Sequence, residues 1–271
     1  MMRWLLAPFR AIVVSAHVLV GVAIVVVVFP FADQIARNRI KGRWSRILIA
    51  ICGARVVRSG VAIPLQLQLD GIDSARPGRL ALANHISWLD IFAINAILPS
   101  RFIAKSEIGK WPLLGLLVSR SGTLYIERGR RHAVAALNKT VREHLKLGET
   151  IVVFAEGTTT DGSVLLPFHS NVIAPALDGD ADVWPIAIRY TERGKRSSAA
   201  AFIDEMGLFT SLARILAADQ LVVEVTVLQP VSKNEAANRH VIARAARTAI
   251  AQHLGLMDEP QASDRHHASA A

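Results

Sequence analysis

An α/β fold, a largely parallel sheet flanked by helices behind an N-terminal membrane-anchoring helix, follows from three observations on this 271-residue chain. Short apolar runs of strand character alternate with helical patterns along most of its length, as βαβ units do. Ahead of them, Ala11 to Phe31 contains no Asp, Glu, Lys or Arg. The residues with chemical potential sit beside the predicted strand ends.

The charge-free run is long enough to cross a bilayer core, which takes about 20 apolar residues. A cleaved signal would have a shorter apolar region and a small-x-small site. This run instead ends Phe29-Pro30-Phe31-Ala32-Asp33, which disfavours cleavage. Pro30 and the apolar stretch Ile47 to Cys52 leave room for a hairpin that anchors without crossing. Arg3 and Arg10 precede the run; Arg37, Arg39, Lys41, Arg43 and Arg46 follow it. If the helix spans, that bias puts the downstream domain on the cytoplasmic side of the inner membrane. Trp4 beside Arg3 and Trp44 beside Arg43 suit a lipid interface.

Next, Leu65-Gln66-Leu67-Gln68-Leu69-Asp70 alternates like a half-buried strand, followed by a turn region at Gly71 and Pro77-Gly78. Arg79 to Ala83 reads as a strand, Trp88 to Leu98 as a helix and Arg101 to Lys105 as a short strand. Pro112 to Arg120 reads as a helix and Thr123 to Glu127 as a strand. Val134, Leu137, Val141 and Leu145 mark one face of a helix ending at Gly148. Thr150 to Phe154, Val183 to Arg189 and Leu221 to Leu228 read as further strands. Ser232 and Glu235 form a capping box for a last helix that stops at Gly255. From Asp258 the chain is a polar tail of disordered composition, and His266 and His267 there lack partners for a metal site.

The hydrophobic fraction is 52%, mean hydropathy +0.34 and net charge +9. Nucleic acid is one partner for such charge, but no zinc-finger spacing, aromatic RNA-binding signature or long basic tail is present. With an apolar anchor, anionic lipid headgroups fit better, at about 1 kcal/mol per basic residue near the surface. The single cysteine, Cys52, excludes an intrachain disulfide framework and reads as a small buried hydrophobe.

Three motifs carry chemistry. In Asn84-His85-Ile86-Ser87-Trp88-Leu89-Asp90, five residues of regular helix turn through about 500°, which would separate His85 from Asp90. A catalytic pair therefore needs His85 before the helix and Asp90 in its first turn. The same residues also make an approximate capping box, Ser87-x-x-Asp90, with His85 a loop histidine. Taken alone, the segment slightly favours capping. His253 and Asp258 share the spacing, but at a helix end beside the tail. In the catalytic reading, neutral His85 takes a proton from an alcohol and Asp90 fixes its tautomer. The alcohol is then the nucleophile, consistent with the absence of a G-x-S-x-G elbow, a P-loop and G-x-G-x-x-G.

Arg128, followed by Gly129, Arg130 and Arg131, is either a solvated basic turn or an anion clamp. In Glu156-Gly157-Thr158, after a buried strand, Gly157 admits close backbone approach and Thr158 offers a hydroxyl. Glu156 orders the loop or binds an acceptor hydroxyl. An ordinary turn has the same composition. Asp178, Asp180 and Asp182 lack a helix-loop-helix setting for calcium.

Together these segments resemble the 1-acylglycerol-3-phosphate acyltransferase family, over roughly residues 60 to 230. Asn84-His85-x-x-x-x-Asp90 matches its first motif, with His85 as base and Asp90 as partner. Ala104-Lys105-Ser106-Glu107, Trp111-Pro112 and Gly115 match a linking segment. Gly122 to Arg128 matches the second motif, whose arginine binds the acceptor headgroup. Phe154 to Thr158 matches the third and Trp184-Pro185-Ile186 the fourth. Thr159 stands where many members carry arginine. Glu-Gly-Thr-Thr-x-Asp-Gly with Leu166-Pro167-Phe168 is similar to bacterial relatives that acylate lyso-ornithine lipid or lysophosphatidate.

The resemblance implies transfer of an acyl chain from acyl-CoA or acyl carrier protein to a lysolipid hydroxyl, with no metal or redox cofactor. His85 and Asp90 are the expected catalytic pair. Arg128, Glu156, Gly157 and Thr158 are expected at the headgroup, supported by Asn84, Lys105, Gly122 and Pro185. Residues 1–55 are then an anchor and basic interfacial segment, 56–257 the catalytic domain and 258–271 the tail. The rival from another class is a non-catalytic protein that binds anionic lipid. The convergence of His85, Asp90, Arg128 and Gly157 at one cleft separates the two.

Overall fold

The structure is a computed structural model that describes residues 2–73, 78–126, 131–178, 181–231 and 238–257. Helix α1 (Met2–Ala23) runs into a π-helical turn (Ile24–Val28), and α2 (Gln34–Ile51) folds back along it. Asp33 caps α2 by accepting a hydrogen bond from the Ala36 amide at 2.7 Å. There follow β1 (Arg55–Gly60), α3 (Leu65–Asp70), β2 (Arg79–Ala83), α4 (Leu89–Ile97), β3 (Arg101–Lys105), α5 (Leu114–Arg120) and β4 (Leu124–Ile126). The chain continues through α6 (Arg131–Lys146), β5 (Thr150–Phe154), α7 (Ala174–Asp178), β6 (Asp182–Glu192), β7 (Lys195–Arg196), α8 (Leu208–Ala217), β8 (Leu221–Val227) and α9 (Arg239–Leu254).

The strands form one sheet in the order β1-β8-β6-β2-β5-β3-β4, with β7 paired to β6. Pairings are parallel except those of β6 with β8 and with β7. Central β2 is buried at every residue, and its alternation divides the core. Leu80 and Leu82 point to the face covered by α6 and α9, while Ala81 and Ala83 point to the face shared with α2 and α4. Val14, Val25, Phe29, Leu48 and Ile49 lie in that second core, so the first 55 residues cover one face of the sheet.

Three expectations change. Leu65–Asp70 is a helix, not a strand. Leucine and glutamine favour helix, the run contains no β-branched residue, and Leu67 and Asp70, three apart, form its buried face. Trp44 is not at an interface: it is buried, stacked on His17 at 4.5 Å, with Nε1 donating to the His17 carbonyl at 3.2 Å. The last helix begins at Arg239, where the Asn238 side chain accepts from the amides of His240 and Val241. Ser232 and Glu235, like the tail, lie outside the described residues. Cys52 is buried, and burial pushes its thiol up to about 12.

Candidate active site

Parallel strands β2, β3 and β5 end side by side, and their carboxyl ends carry the first and third motifs. The first residue past β2, Asn84, acts as a surrogate backbone. Its amide nitrogen donates to the Ile188 carbonyl at 3.0 Å and its oxygen accepts from the Ile188 amide at 2.7 Å. The pairing with β6 is thus satisfied while the main chain turns away.

His85 follows, ahead of α4, and Asp90 sits in the first turn of that helix. Asp90 is fully buried, yet four donors converge on it. Oδ2 accepts from His85 Nδ1 at 2.9 Å, from the Ile86 amide at 2.8 Å and from the Ser87 amide at 2.9 Å. Oδ1 accepts from the Tyr190 hydroxyl at 2.6 Å. The geometries of the capping and catalytic readings are therefore not alternatives: one carboxylate caps the start of the helix and contacts His85. Such a donor set offsets the cost of burying its charge. Burial, then the neighbouring Asp90 charge, pushes the Tyr190 hydroxyl well above its ordinary range, which keeps it a donor. The His85 ring stacks on Phe154 at 3.8 Å. With Nδ1 held, Nε2 is the ring's free nitrogen.

Residues 154–160 form a clasp around the His85 backbone. Glu156 Oε1 accepts from the His85 amide at 2.8 Å, and the Thr160 amide donates to the His85 carbonyl at 2.8 Å. Glu156 Oε2 accepts from the Leu166 amide at 2.9 Å. Both carboxylate oxygens are taken and the residue is buried, so Glu156 braces the loop from behind. Burial pushes its carboxyl up to about 7 against the pull of those two amides. Gly157 has φ +71°, and a Cβ there would lie 3.1 Å from the His169 ring. Thr159 Oγ1 donates to the Phe202 carbonyl.

A cavity of about 600 Å³ opens beside these motifs, within the range of small-molecule sites. His85, Lys105, Gly157, Thr158 and Thr159 line it. Its other walls are largely apolar. Ile24, Val25 and Phe29 come from the N-terminal segment, Ile91 and Phe92 from α4, Leu117 from α5 and Leu137 from α6.

Two supporting residues lie elsewhere. Gly122 precedes β4 at the amino ends of the parallel strands, where its carbonyl accepts from Arg101 Nη1 at 3.2 Å and a Cβ would strike that guanidinium. Pro185 is buried inside β6, paired in register with Leu82. Arg128 lies outside the described residues. The last described residue before it, Ile126 at the end of β4, pairs with Lys105 and lines the cavity. Exposed His253, on α9, does not line the cavity. Tyr190 went unread, and of the two roles open to Glu156 its contacts are those of the loop-ordering one, not of a headgroup ligand. Tyr190 is 100 residues from Asp90, and no local pattern marks it.

A family model described as Acyltransferase matches residues 67–189. The chain is 34% identical to a lyso-ornithine lipid O-acyltransferase of Pseudomonas aeruginosa, over 72% of this chain and 74% of the relative. It is 38% identical to a 1-acyl-sn-glycerol-3-phosphate acyltransferase of Neisseria gonorrhoeae, over 64% of this chain and 70% of the relative. Its fold is similar to the crystal structure of the 1-acyl-sn-glycerophosphate (LPA) acyltransferase PlsC from Thermotoga maritima. That match has a TM-score of 0.67 and 18% identity, over 93% of this chain and 94% of that one.

Proposed function

The chain belongs to the family of 1-acylglycerol-3-phosphate and lyso-ornithine lipid acyltransferases, and we propose that it is the membrane-bound member that moves an acyl chain from acyl-CoA or acyl carrier protein to the hydroxyl of lysophosphatidate, giving phosphatidate. The observation that carries this reading is the His85–Asp90 contact of 2.9 Å on the wall of a largely apolar cavity. The proton on Nδ1 is held by Asp90, so Nε2 is the basic nitrogen. It removes the proton from the lysolipid hydroxyl as that oxygen attacks the thioester carbonyl. The new ester C–O bond forms and the C–S bond breaks. The imidazolium, stabilised by Asp90, returns the proton to the departing thiolate. Gly157, Thr158 and Arg128 hold the headgroup, and the apolar walls take the acyl chain. The thioester already carries the activated acyl group, so the reading calls for no metal or redox cofactor.

Lyso-ornithine lipid is the second acceptor. Thr159 favours it, because its hydroxyl is committed to the Phe202 carbonyl and it adds no cation for a phosphate. The helix Ala7–Val28, with mean hydropathy 2.9 and only 17% of its window buried, holds the enzyme at the inner membrane with its sheet on the cytoplasmic side. The test is an acceptor panel: purified protein, labelled acyl-CoA or acyl carrier protein, and lysophosphatidate or lyso-ornithine lipid in mixed micelles. Labelled diacyl product from at least one acceptor is expected. No transfer to either acceptor from either donor would sink the reading.

A further inference from the structure

Besides His85, the cavity is lined by three polar side chains to which the mechanism assigns no role. His169 and Asn171 line it from the segment after the Glu156 loop, and Asn138 lines it from α6. Each of these three side chains lacks a hydrogen-bond partner among the described residues. His169 differs from His85 in that no carboxylate among the described residues fixes its tautomer, so its ring is free to donate or to accept.

The loop that carries the ring is nonetheless held in place. The His169 amide donates to the Ala155 carbonyl at 2.9 Å, directly behind the Glu156-Gly157 turn. Phe168 before it is buried. Arg247 grips the loop from beneath, donating to the carbonyls of Leu165 at 2.7 Å and Leu166 at 3.2 Å. The Glu156 carboxylate joins the two histidine-bearing segments, one oxygen on the His85 amide and the other on the Leu166 amide. Gly157 then leaves space for the ring: a side chain there would meet the His169 ring at 3.1 Å, from a backbone at φ +71° that side chains rarely adopt. The glycine expected to admit a headgroup also seats an imidazole beside it.

The geometry points to His169 as a headgroup-binding residue, with Asn171 and Asn138 beside it, contacting the anionic group of the acceptor. That group is the phosphate of lysophosphatidate or the carboxylate of lyso-ornithine lipid. The inference rests on the acyltransferase reading above. It also supplies what the turn lacks, since no cation stands between Glu156 and Ser163. An imidazolium can donate a charge-assisted bond to either anion, and two carboxamides add neutral donors and acceptors.

The test is steady-state kinetics of the full chain in micelles with acyl-CoA and each acceptor, comparing the parent with His169→Ala, His169→Gln, His169→Lys and Asn171→Ala. His169→Ala should raise the acceptor KM roughly tenfold or more, the loss expected for one charge-assisted bond. Its kcat and its KM for acyl-CoA should stay close to the parent values. His169→Lys should restore acceptor affinity, and His169→Gln should do so in part. The acceptor whose KM moves more is the one whose anion the ring contacts. An unchanged acceptor KM in His169→Ala, or a rise confined to the acyl-CoA KM, overturns the assignment while leaving the transferase reading intact. A parent enzyme inactive on both acceptors overturns that reading instead. The exposed position of His169 makes misfolding an unsuitable explanation for a loss, and thermal melting of each variant checks this directly.

Discussion

Two buried glutamates bracket β5, Glu149 just before it and Glu156 just after it, and their environments are opposite. Burial would raise the Glu149 carboxyl, but His144 and Arg101 outweigh it and hold it down at about 2. Arg101 Nη2 also donates to Glu149 Oε1 at 3.1 Å and to Gln34 Oε1 at 3.0 Å, tying α2 to that edge. Glu156 has only backbone amides for partners and sits at about 7. One end of the strand is fastened by ions. The other holds a carboxylate in a place chosen for geometry at a cost in stability, the balance expected where a site must be positioned. Nearby Lys41 belongs with the fastened end. Burial, and then Arg101, lowers its amine to about 7, and Nζ donates to the Ser100 carbonyl at 2.7 Å.

Substitutions at the two ends should fail differently. His85→Ala, at the site end, should lower kcat roughly 10²–10⁴-fold with little change in the melting temperature, while His253→Ala does neither. Near-normal turnover by the His85 variant would remove it as the base. At the fastened end, Glu149→Gln should cost about 3 kcal/mol by leaving the partly buried Arg101 without its counter-ion, with kcat of the folded fraction little changed. Urea titration beside activity separates those effects, and a pure kcat loss would erase the contrast. Thr159→Arg tests the site end by adding a cation to a turn that has none. It should shift the kcat/KM ratio toward lysophosphatidate over lyso-ornithine lipid by about 10- to 150-fold. An unchanged ratio would detach acceptor choice from Thr159.

The smallest effect is a pH dependence of opposite sign at the two ends. Glu156 is raised above its unfolded value of 4.5, so its contribution is present below about 4.5 and lost as pH rises through 7. Relative to the parent, Glu156→Gln should therefore gain about 1–3 kcal/mol of stability between pH 5 and pH 8. Glu149 is depressed below 4.5, so its contribution is present above 4.5 and lost as pH falls toward 2. The deficit of Glu149→Gln should shrink only in that acid range. Denaturation series at pH 3, 5 and 8 would expose parallel trends, which the two environments do not permit.

Much of the fold was legible because its central strands are short apolar runs, with β2 and β5 buried on both faces. Arg79–Ala83, Arg101–Lys105 and Thr150–Phe154 stand where the apolar runs placed them. β1 was not legible: it is an edge strand, largely exposed, and Arg55 to Gly60 has no alternation to read. α2 was masked by its basic residues, which read as an interfacial segment although Lys41 and Asn38 are buried. At the site, His85 and Asp90 could be read together because they are close in sequence. Tyr190 could not, since it is brought to Asp90 from β6 by the pairing of the sheet. Whether Glu156 faced the acceptor or the loop was undecidable from composition, because only the position of the Leu166 amide distinguishes them.

The arrangement around Asp90 also sets an order of assembly. Three of its donors come from the adjoining residues 85 to 87, available once α4 forms its first turn. The fourth arrives with β6, which the ribosome delivers about a hundred residues later. Until that strand docks against β2, the carboxylate lacks one partner and the segment after Asn84 lacks the ladder that turns it. A partly made chain therefore carries the histidine but not the finished site. Reactivity in this protein is a late product of folding, acquired only when its two halves meet.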